Sequence, residues 1–256
     1  MPWFAAAGLA SAPGLMHAFT SRRGGASKGA WESLNLGYAT GDDRDVVERN
    51  RARLWEALGL PQAPFVPRQV HGNTVIVLDS GNLERCRVDP PEADAVVTAL
   101  RGQPLAVLTA DCAAIVVHDR GTPAVGLVHA GWRGSVRAVL WKAMVTMFDA
   151  FGTKPEDCAA AVGPSIAPAC YQVGDDVREA FARGLPYGRD LLAADVPGRW
   201  RLDLREANRR QLLDARLPLA QVSACPYCTH CEASWFYSAR RDGNLTGRHA
   251  AVAMLT

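Results

Sequence analysis

The 256-residue chain carries almost no excess charge of either sign, with 28 Lys and Arg against 26 Asp and Glu and a formal charge of +2. Binding to a phosphate backbone usually needs a one-sided basic surface, so no nucleic-acid partner is expected. Long apolar runs are missing too. The longest stretches free of Asp, Glu, Lys and Arg lie at the N-terminus and between Cys158 and Asp175, and Gly and Pro interrupt both. A spanning helix needs about 20 nearly continuous apolar residues, so no membrane segment is expected. Ala5 to Ala12 offers small residues of cleavage-site type, but no basic stretch precedes it and Gly8, Pro13 and Gly14 break the run; a cytoplasmic protein is predicted. Internal repeats, heptads, low-complexity tracts and convincing linkers are absent as well, so 1–256 reads as one domain, expected to be a monomer. The seven cysteines are an odd number, and a chain of this size needs no disulfide framework. Reduced thiols are expected, each a small core residue, a metal ligand or a nucleophile.

What is present is a core: 48% of the residues are hydrophobic, enough for one domain of this length. Short runs rich in Val, Ile or Leu at Thr74 to Leu78, Ala95 to Thr98, Leu105 to Thr109, Ala114 to Val117 and Ala124 to Val128 predict a largely buried sheet. A helix is predicted after Asp42 or Asp43, with Val47, Leu54 and Leu58 on one face and Gly59 as its stop. A second is predicted over Ser135 to Phe151, where Val136, Leu140, Met144, Met147 and Phe151 fall at helical spacing. Two more are expected at Asp175 to Arg183 and Asp203 to Leu213, the latter opening on a capping-box pattern of Asp203 and Glu206. Ser238 to Gly247 reads as a loop. The fold class is α+β or mixed α/β, a single compact domain with layered mixed β-sheets and outer helices; strand order is not readable from one sequence.

Three segments place potential metal ligands at the edges of predicted strands: Gln69-Val70-His71-Gly72, Thr109-Ala110-Asp111-Cys112 and His129-Ala130-Gly131-Trp132-Arg133-Gly134. Two imidazoles and a thiolate suit zinc, and three protein ligands leave a fourth position open, as catalytic sites do. The spacing of 41 and 17 positions is not a local chelating motif, so only tertiary folding can unite the three. A buried core thiol with two hydrogen-bonded histidines is the alternative reading.

Together with Ser21-Arg22-Arg23-Gly24-Gly25-Ala26-Ser27, Ser33-Leu34-Asn35-Leu36-Gly37, Val162-Gly163-Pro164-Ser165-Ile166 and Phe236 to Gly243, these segments resemble the purine nucleoside phosphorylase family once called multicopper polyphenol oxidases or laccase-domain proteins. The resemblance spans nearly the whole chain. It implies a single α/β domain and His71, Cys112 and His129 as zinc ligands. It also implies phosphorolysis of adenosine, inosine and S-methyl-5′-thioadenosine, with hydrolytic deamination of adenosine. Purine nucleosides and inorganic phosphate are then the expected partners.

Other residues suit that chemistry in more than one way. Asp111, beside the thiol, is a candidate proton-transfer residue or a turn cap. Arg133 can hold a phosphate through its planar fork, and Arg22, Arg23 and Arg68 offer the same from neighbouring segments, or form structural ion pairs. Asn35 can bind substrate or merely support a turn. Gly24 and Gly25 lack any Walker or Rossmann fingerprint. Cys225-Pro226-Tyr227-Cys228-Thr229-His230-Cys231 is a candidate second zinc site, but no partner pair is evident and it reads as a cysteine-rich loop. Rival functions are a copper-dependent polyphenol oxidase, since Cu2+ competes for the same ligands, a metal-free hydrolase with Cys112 as nucleophile and His129 as base, and a peptidoglycan-precursor editing enzyme. A blue multicopper oxidase is excluded, because the six histidines form no His-x-His pair. A pure binding module would show an exposed basic or aromatic stripe, and none is evident.

Overall fold

The structure, a computed structural model, describes residues 3–10, 12–243 and 245–256. The chain opens with β1 (Trp3–Phe4), β2 (Leu15–Thr20), α1 (Arg44–Ala57), β3 (Val75–Leu78), α2 (Leu83–Val88), β4 (Ala95–Thr98) and β5 (Leu105–Thr109). Next come β6 (Ala113–Asp119), β7 (Ala124–Ala130), α3 (Trp132–Val136), α4 (Val139–Phe151), β8 (Cys158–Val162), β9 (Gln172–Gly174) and α5 (Asp175–Gly184). Then follow β10 (Leu192–Ala194), β11 (Arg199–Leu202), α6 (Leu204–Asp214), β12 (Val222–Ala224), α7 (Ala239–Asp242) and β13 (His249–Leu255).

Six strands form a mixed sheet in the order β12-β8-β6-β7-β4-β3, parallel only at its outer pairs. An antiparallel sheet, β1-β2-β13-β5, packs against it, and β10-β11-β9 make a small third sheet. The two-residue period of a strand sends alternate side chains to opposite faces. Along β6, Ala113, Ile115 and Val117 join Leu140, Met144 and Met147 of α4 and Leu212 of α6, while Ala114 and Val116 join Phe19, Val107 and Ala251 of the four-stranded sheet. A strand buried on both faces has no polar side, which is why these segments read as short continuous apolar runs. On the far face of the second sheet, Ala106, Ala250 and Val252 meet Leu54 and Trp55 of α1. The layers run helix, sheet, sheet, helix, an α+β domain as expected. Among the described residues no helix is long and apolar enough to cross a membrane.

Local signals set several boundaries. The Asp43 carboxylate caps α1 by accepting from the N–H groups of Asp45 and Val46, and Gly59, at φ 66°, takes the left-handed turn that ends it. Asp203 caps α6 by accepting from the Glu206 N–H.

Two expectations are corrected. The helix expected over Ser135 to Phe151 is two helices, broken where Ala138 adopts φ 57°. The end of α3 is tied to α6, with the Ser135 carbonyl accepting from Gln211 and its hydroxyl paired with Asn208, so the chain must bend before α4 can lie on the sheet. The stretch expected to be a loop contains α7, capped by the Ser238 hydroxyl accepting from the Arg241 N–H. Asn244, in the same stretch, lies outside the described residues.

Candidate metal centre

His71, Cys112 and His129 meet where the two large sheets exchange chain. β5 belongs to the four-stranded sheet and β6 to the six-stranded one, so Thr109 to Cys112 is a crossing between layers. Asp111 makes that crossing at φ 99°, and the Thr109 hydroxyl donates to the Cys112 carbonyl. Because Ala113 pairs with Ala130 in the β6/β7 ladder, Cys112 arrives beside Gly131, just past His129. His71 comes from the segment before β3, which Gln69 fastens to β5: its side-chain amide donates to the Leu108 carbonyl and accepts from the Leu108 N–H, both at 2.8 Å.

Asp94, immediately before β4 and fully buried, organises the rest. Its Oδ1 accepts from the His71 N–H at 3.0 Å, and its Oδ2 from Gly72 at 2.6 Å and Val70 at 3.3 Å. These bonds hold His71 at φ 57°, an uncommon backbone state for a residue with a Cβ. Oδ1 also pairs with His129 Nδ1 at 2.7 Å, and the His129 N–H donates to the Asp94 carbonyl at 2.7 Å. His129 therefore has its Nδ1 occupied and presents Nε2 to the other donors. Burial alone would raise the Asp94 carboxyl, but His129 and the backbone N–H groups hold it below its ordinary range.

The three ligand atoms lie within 4.8 Å of one another, and the two imidazole rings meet edge to face at 4.9 Å between centroids. Burial opposes a thiolate at Cys112, yet the charge of His129 and hydrogen bonds from both histidines draw its pKa down. Burial likewise opposes protonation of His129, while the charge of Cys112 and the bond to Asp94 push its pKa up. Two imidazoles, a thiolate and a carboxylate fixing one ring form a donor set that fits zinc or copper. The space is kept open by an absent side chain. A Cβ on Gly131 would lie 2.9 Å from Cys112 Sγ and 3.1 Å from His71 Cδ2. Overpacking of this kind costs about 1–3 kcal/mol, so Gly131→Ala is expected to weaken metal affinity roughly 10- to 100-fold. Competition against a chromophoric chelator checks this, and an unchanged affinity would separate Gly131 from the centre.

The centre lines a cleft of about 780 Å³, within the range of small-molecule sites. Five arginines, Arg51, Arg68, Arg133, Arg240 and Arg248, line it with Asp89, Asp111, Tyr38, Trp132 and Tyr171. Of the expected binding residues, Arg133 stacks on Trp132 at 4.5 Å, and Arg68 stands at the rim, 3.6 Å from Glu92. Asn35, expected to bind substrate or to support a turn, makes the turn bond. It is fully buried and absent from the cleft lining. Its amide donates to Thr40 and Asp42 and accepts from the N–H groups of Gly37 and Arg248, so it knots two segments together. Arg22 and Arg23 are likewise committed elsewhere, to the Ala233 and Ser234 carbonyls and to stacking on Tyr237 and Trp235. Asp111 lines the cleft, but Oδ1 accepts from the Thr229 hydroxyl at 2.6 Å and Oδ2 from the Arg240 N–H at 2.7 Å. These bonds make it a brace for the C-terminal wall.

Residues 16–256 match the family described as multi-copper polyphenol oxidoreductase laccase. The chain belongs to that family. Relatives of this laccase-like domain carry enzyme names. A purine nucleoside phosphorylase of Bacteroides thetaiotaomicron is 35% identical over 253 residues, covering 96% of this chain and 94% of its own. A protein named adenosine deaminase, from an unknown prokaryotic organism, is 38% identical over 244 residues, 91% of each chain. The crystal structure of YlmD from Geobacillus stearothermophilus has the same laccase-like fold, with a TM-score of 0.92 and 35% identity over 100% of this chain and 96% of that one.

Proposed function

We propose that this chain is a zinc-dependent purine nucleoside phosphorylase acting on adenosine, inosine and S-methyl-5′-thioadenosine, with adenosine deaminase activity. One observation carries the reading: a two-histidine, one-cysteine donor set opens into a cleft lined by five arginines and three aromatic rings. Zinc held by His71, Cys112 and His129 would supply Lewis acidity at the cleft floor. The names of the relatives supply the substrate class.

The remaining work falls to the chain's own side chains. In phosphorolysis an oxygen of inorganic phosphate bonds to the ribose anomeric carbon as the bond from that carbon to the purine nitrogen breaks, and the departing purine takes a proton. The phosphate is a dianion that must be desolvated and aimed. Guanidinium forks do both, and of the four arginines expected from the sequence to do so, Arg133 and Arg68 line the cleft. Tyr171 and Trp132 offer faces for the purine. Asp111 positions Arg240 through the backbone bond described above; a proton-transfer role for it would have to compete with two hydrogen bonds.

Loss of a charge-assisted hydrogen bond costs about 1.5–3 kcal/mol. Arg133→Ala is therefore expected to raise the KM for phosphate roughly 10- to 100-fold while changing phosphate-independent deamination little. An unchanged phosphate response would remove Arg133 from anion binding.

A second reading has its own support. Cys112, His129 and Asp94 are linked in the order nucleophile, base and orienting carboxylate, as in a cysteine hydrolase. His71, a third donor within ligand distance, favours the metal. Purification under metal-controlled conditions, elemental analysis and product identification from adenosine separate the readings. We expect adenine and ribose 1-phosphate only with phosphate, inosine without it, and loss of both on chelation. Chelator-resistant turnover would favour the hydrolase, and oxidation of phenols by a copper-loaded sample without nucleoside turnover would favour the oxidase.

A further inference from the structure

The sequence places Cys225, Cys228 and Cys231 together, but the folded chain makes a different group. Cys170, at the end of a short 3-10 helix before β9, joins Cys228 and Cys231, and their sulfurs all lie within 4.8 Å of one another; Cys225 stands apart. Cys170 Sγ is 3.4 Å from Cys231 Sγ. We propose that Cys170, Cys228 and Cys231 form a second metal site, distinct from the centre at His71, Cys112 and His129, for a thiophilic d10 cation of the zinc(II) or copper(I) class.

Three features separate this group from ordinary core cysteines. Cys86 and Cys158 show the ordinary case, each buried in an apolar cluster. Here burial is graded from Cys228, which is buried, through half-buried Cys170 to exposed Cys231, so the sulfurs meet where a cation can enter from solvent. Cys228 and Cys231 have the Cys-x-x-Cys spacing by which a tight turn offers two sulfurs to one metal. Finally, the Ala167 N–H donates to Cys228 Sγ at 3.3 Å. A backbone donor aimed at a sulfur stabilises the thiolate that a metal requires.

A disulfide is the competing use of two of these thiols. At 3.4 Å the Cys170–Cys231 pair stands well beyond the S–S bond length of about 2.05 Å. The Ala167 N–H moreover points to Cys228, which lies outside that pair. Three converging sulfurs suit copper(I) as a complete soft set, or zinc with a fourth donor from solvent.

The site's place in the fold gives it a consequence. Cys170 precedes Tyr171, and Cys228 precedes Thr229, whose hydroxyl braces Asp111. Arg240 stacks on Tyr171 at 4.9 Å. A cation here would clamp the two segments that build one wall of the cleft.

The test is metal titration of the full-length, fully reduced protein without oxygen, with zinc(II) and copper(I) in separate arms and stoichiometry read by native mass spectrometry. We expect two tightly held equivalents of one or both metals. Cys231→Ser, at an exposed position, should bind the second equivalent at least 100-fold more weakly while keeping the first, which also reports an intact fold. Cys112→Ala should show the converse, and Cys225→Ser should keep both. Bound metal should also protect Cys170, Cys228 and Cys231 from alkylation. A single equivalent in the unaltered chain, or two that survive Cys231→Ser, overturns the proposal, as does a Cys170–Cys231 disulfide that persists under reductant.

Discussion

Replacing Cys112 with Ala is expected to abolish tight metal binding at the cleft floor and to take nucleoside turnover with it. The thiolate is the one soft, fully charged donor of the three, and the two imidazoles left behind form an incomplete set. Substitution of groups that merely support metal ligands typically costs 10- to 100-fold in affinity or activity, so loss of a ligand itself should cost at least that. The charge balance shifts as well. Cys112 and His129 each stabilise the other's ionised form, so without the thiolate His129 loses the charge that most favours its protonation. Elemental analysis and turnover should fall together, and a fully active, metal-free Cys112→Ala protein would refute the assignment. Cys112→Ser adds a discriminating arm. A hydrolase nucleophile can retain weak activity as a hydroxyl, whereas a metal site loses its soft donor in either variant.

The strands whose boundaries match the expectation, β4 and β5, are Val- and Leu-rich runs stopped by Gly, Pro or Asp, signals that act locally. Strands β8 and β13 had no such signal. Cys158 to Val162 and His249 to Leu255 are alanine-rich, and alanine has little strand preference of its own; their burial comes from neighbours supplied by other segments. The break before α4 was hidden for a related reason, since it is made by Asn208 and Gln211, more than 70 positions away. At the centre, His71, Cys112 and His129 stand out among six histidines and seven cysteines because they fall at the edges of apolar runs and within the segments that carry the family resemblance. Nothing local in the sequence marks Cys170, because its partners lie 58 and 61 positions on. Asn35 shows why one residue type leaves two readings open: a polar residue among leucines suits a binding role or a turn, and here its side-chain oxygen satisfies the buried backbone N–H groups of Gly37 and Arg248. Asp94 resembles any aspartate preceding a strand. Only its complete burial shows that its charge must be compensated, and the compensating groups are His129 and three backbone N–H groups.

Asp94→Asn should therefore damage the centre and the fold at once, although the substitution barely changes volume. The carboxylate accepts hydrogen bonds at both oxygens: His129 Nδ1 and the His71 N–H at Oδ1, the Gly72 and Val70 N–H groups at Oδ2. An amide has one acceptor oxygen and one donor nitrogen. If the nitrogen replaces Oδ2, it faces two backbone donors and the turn holding His71 in its left-handed state loosens. If it replaces Oδ1, it faces the His71 N–H and the His129 ring, which must change tautomer and so withdraw Nε2 as a ligand. Neither orientation satisfies the site. Breaking a buried, hydrogen-bonded charge pair costs about 3–5 kcal/mol, so the urea midpoint should fall accordingly, and metal affinity should drop 10- to 100-fold by loss of ligand orientation. The two effects separate by experiment, because saturating metal should restore much of the activity in a folded variant but not in one that has simply unfolded. An Asp94→Asn protein with undiminished stability and metal affinity would show that His71 and His129 are held by other means, and the centre would need a different scaffold.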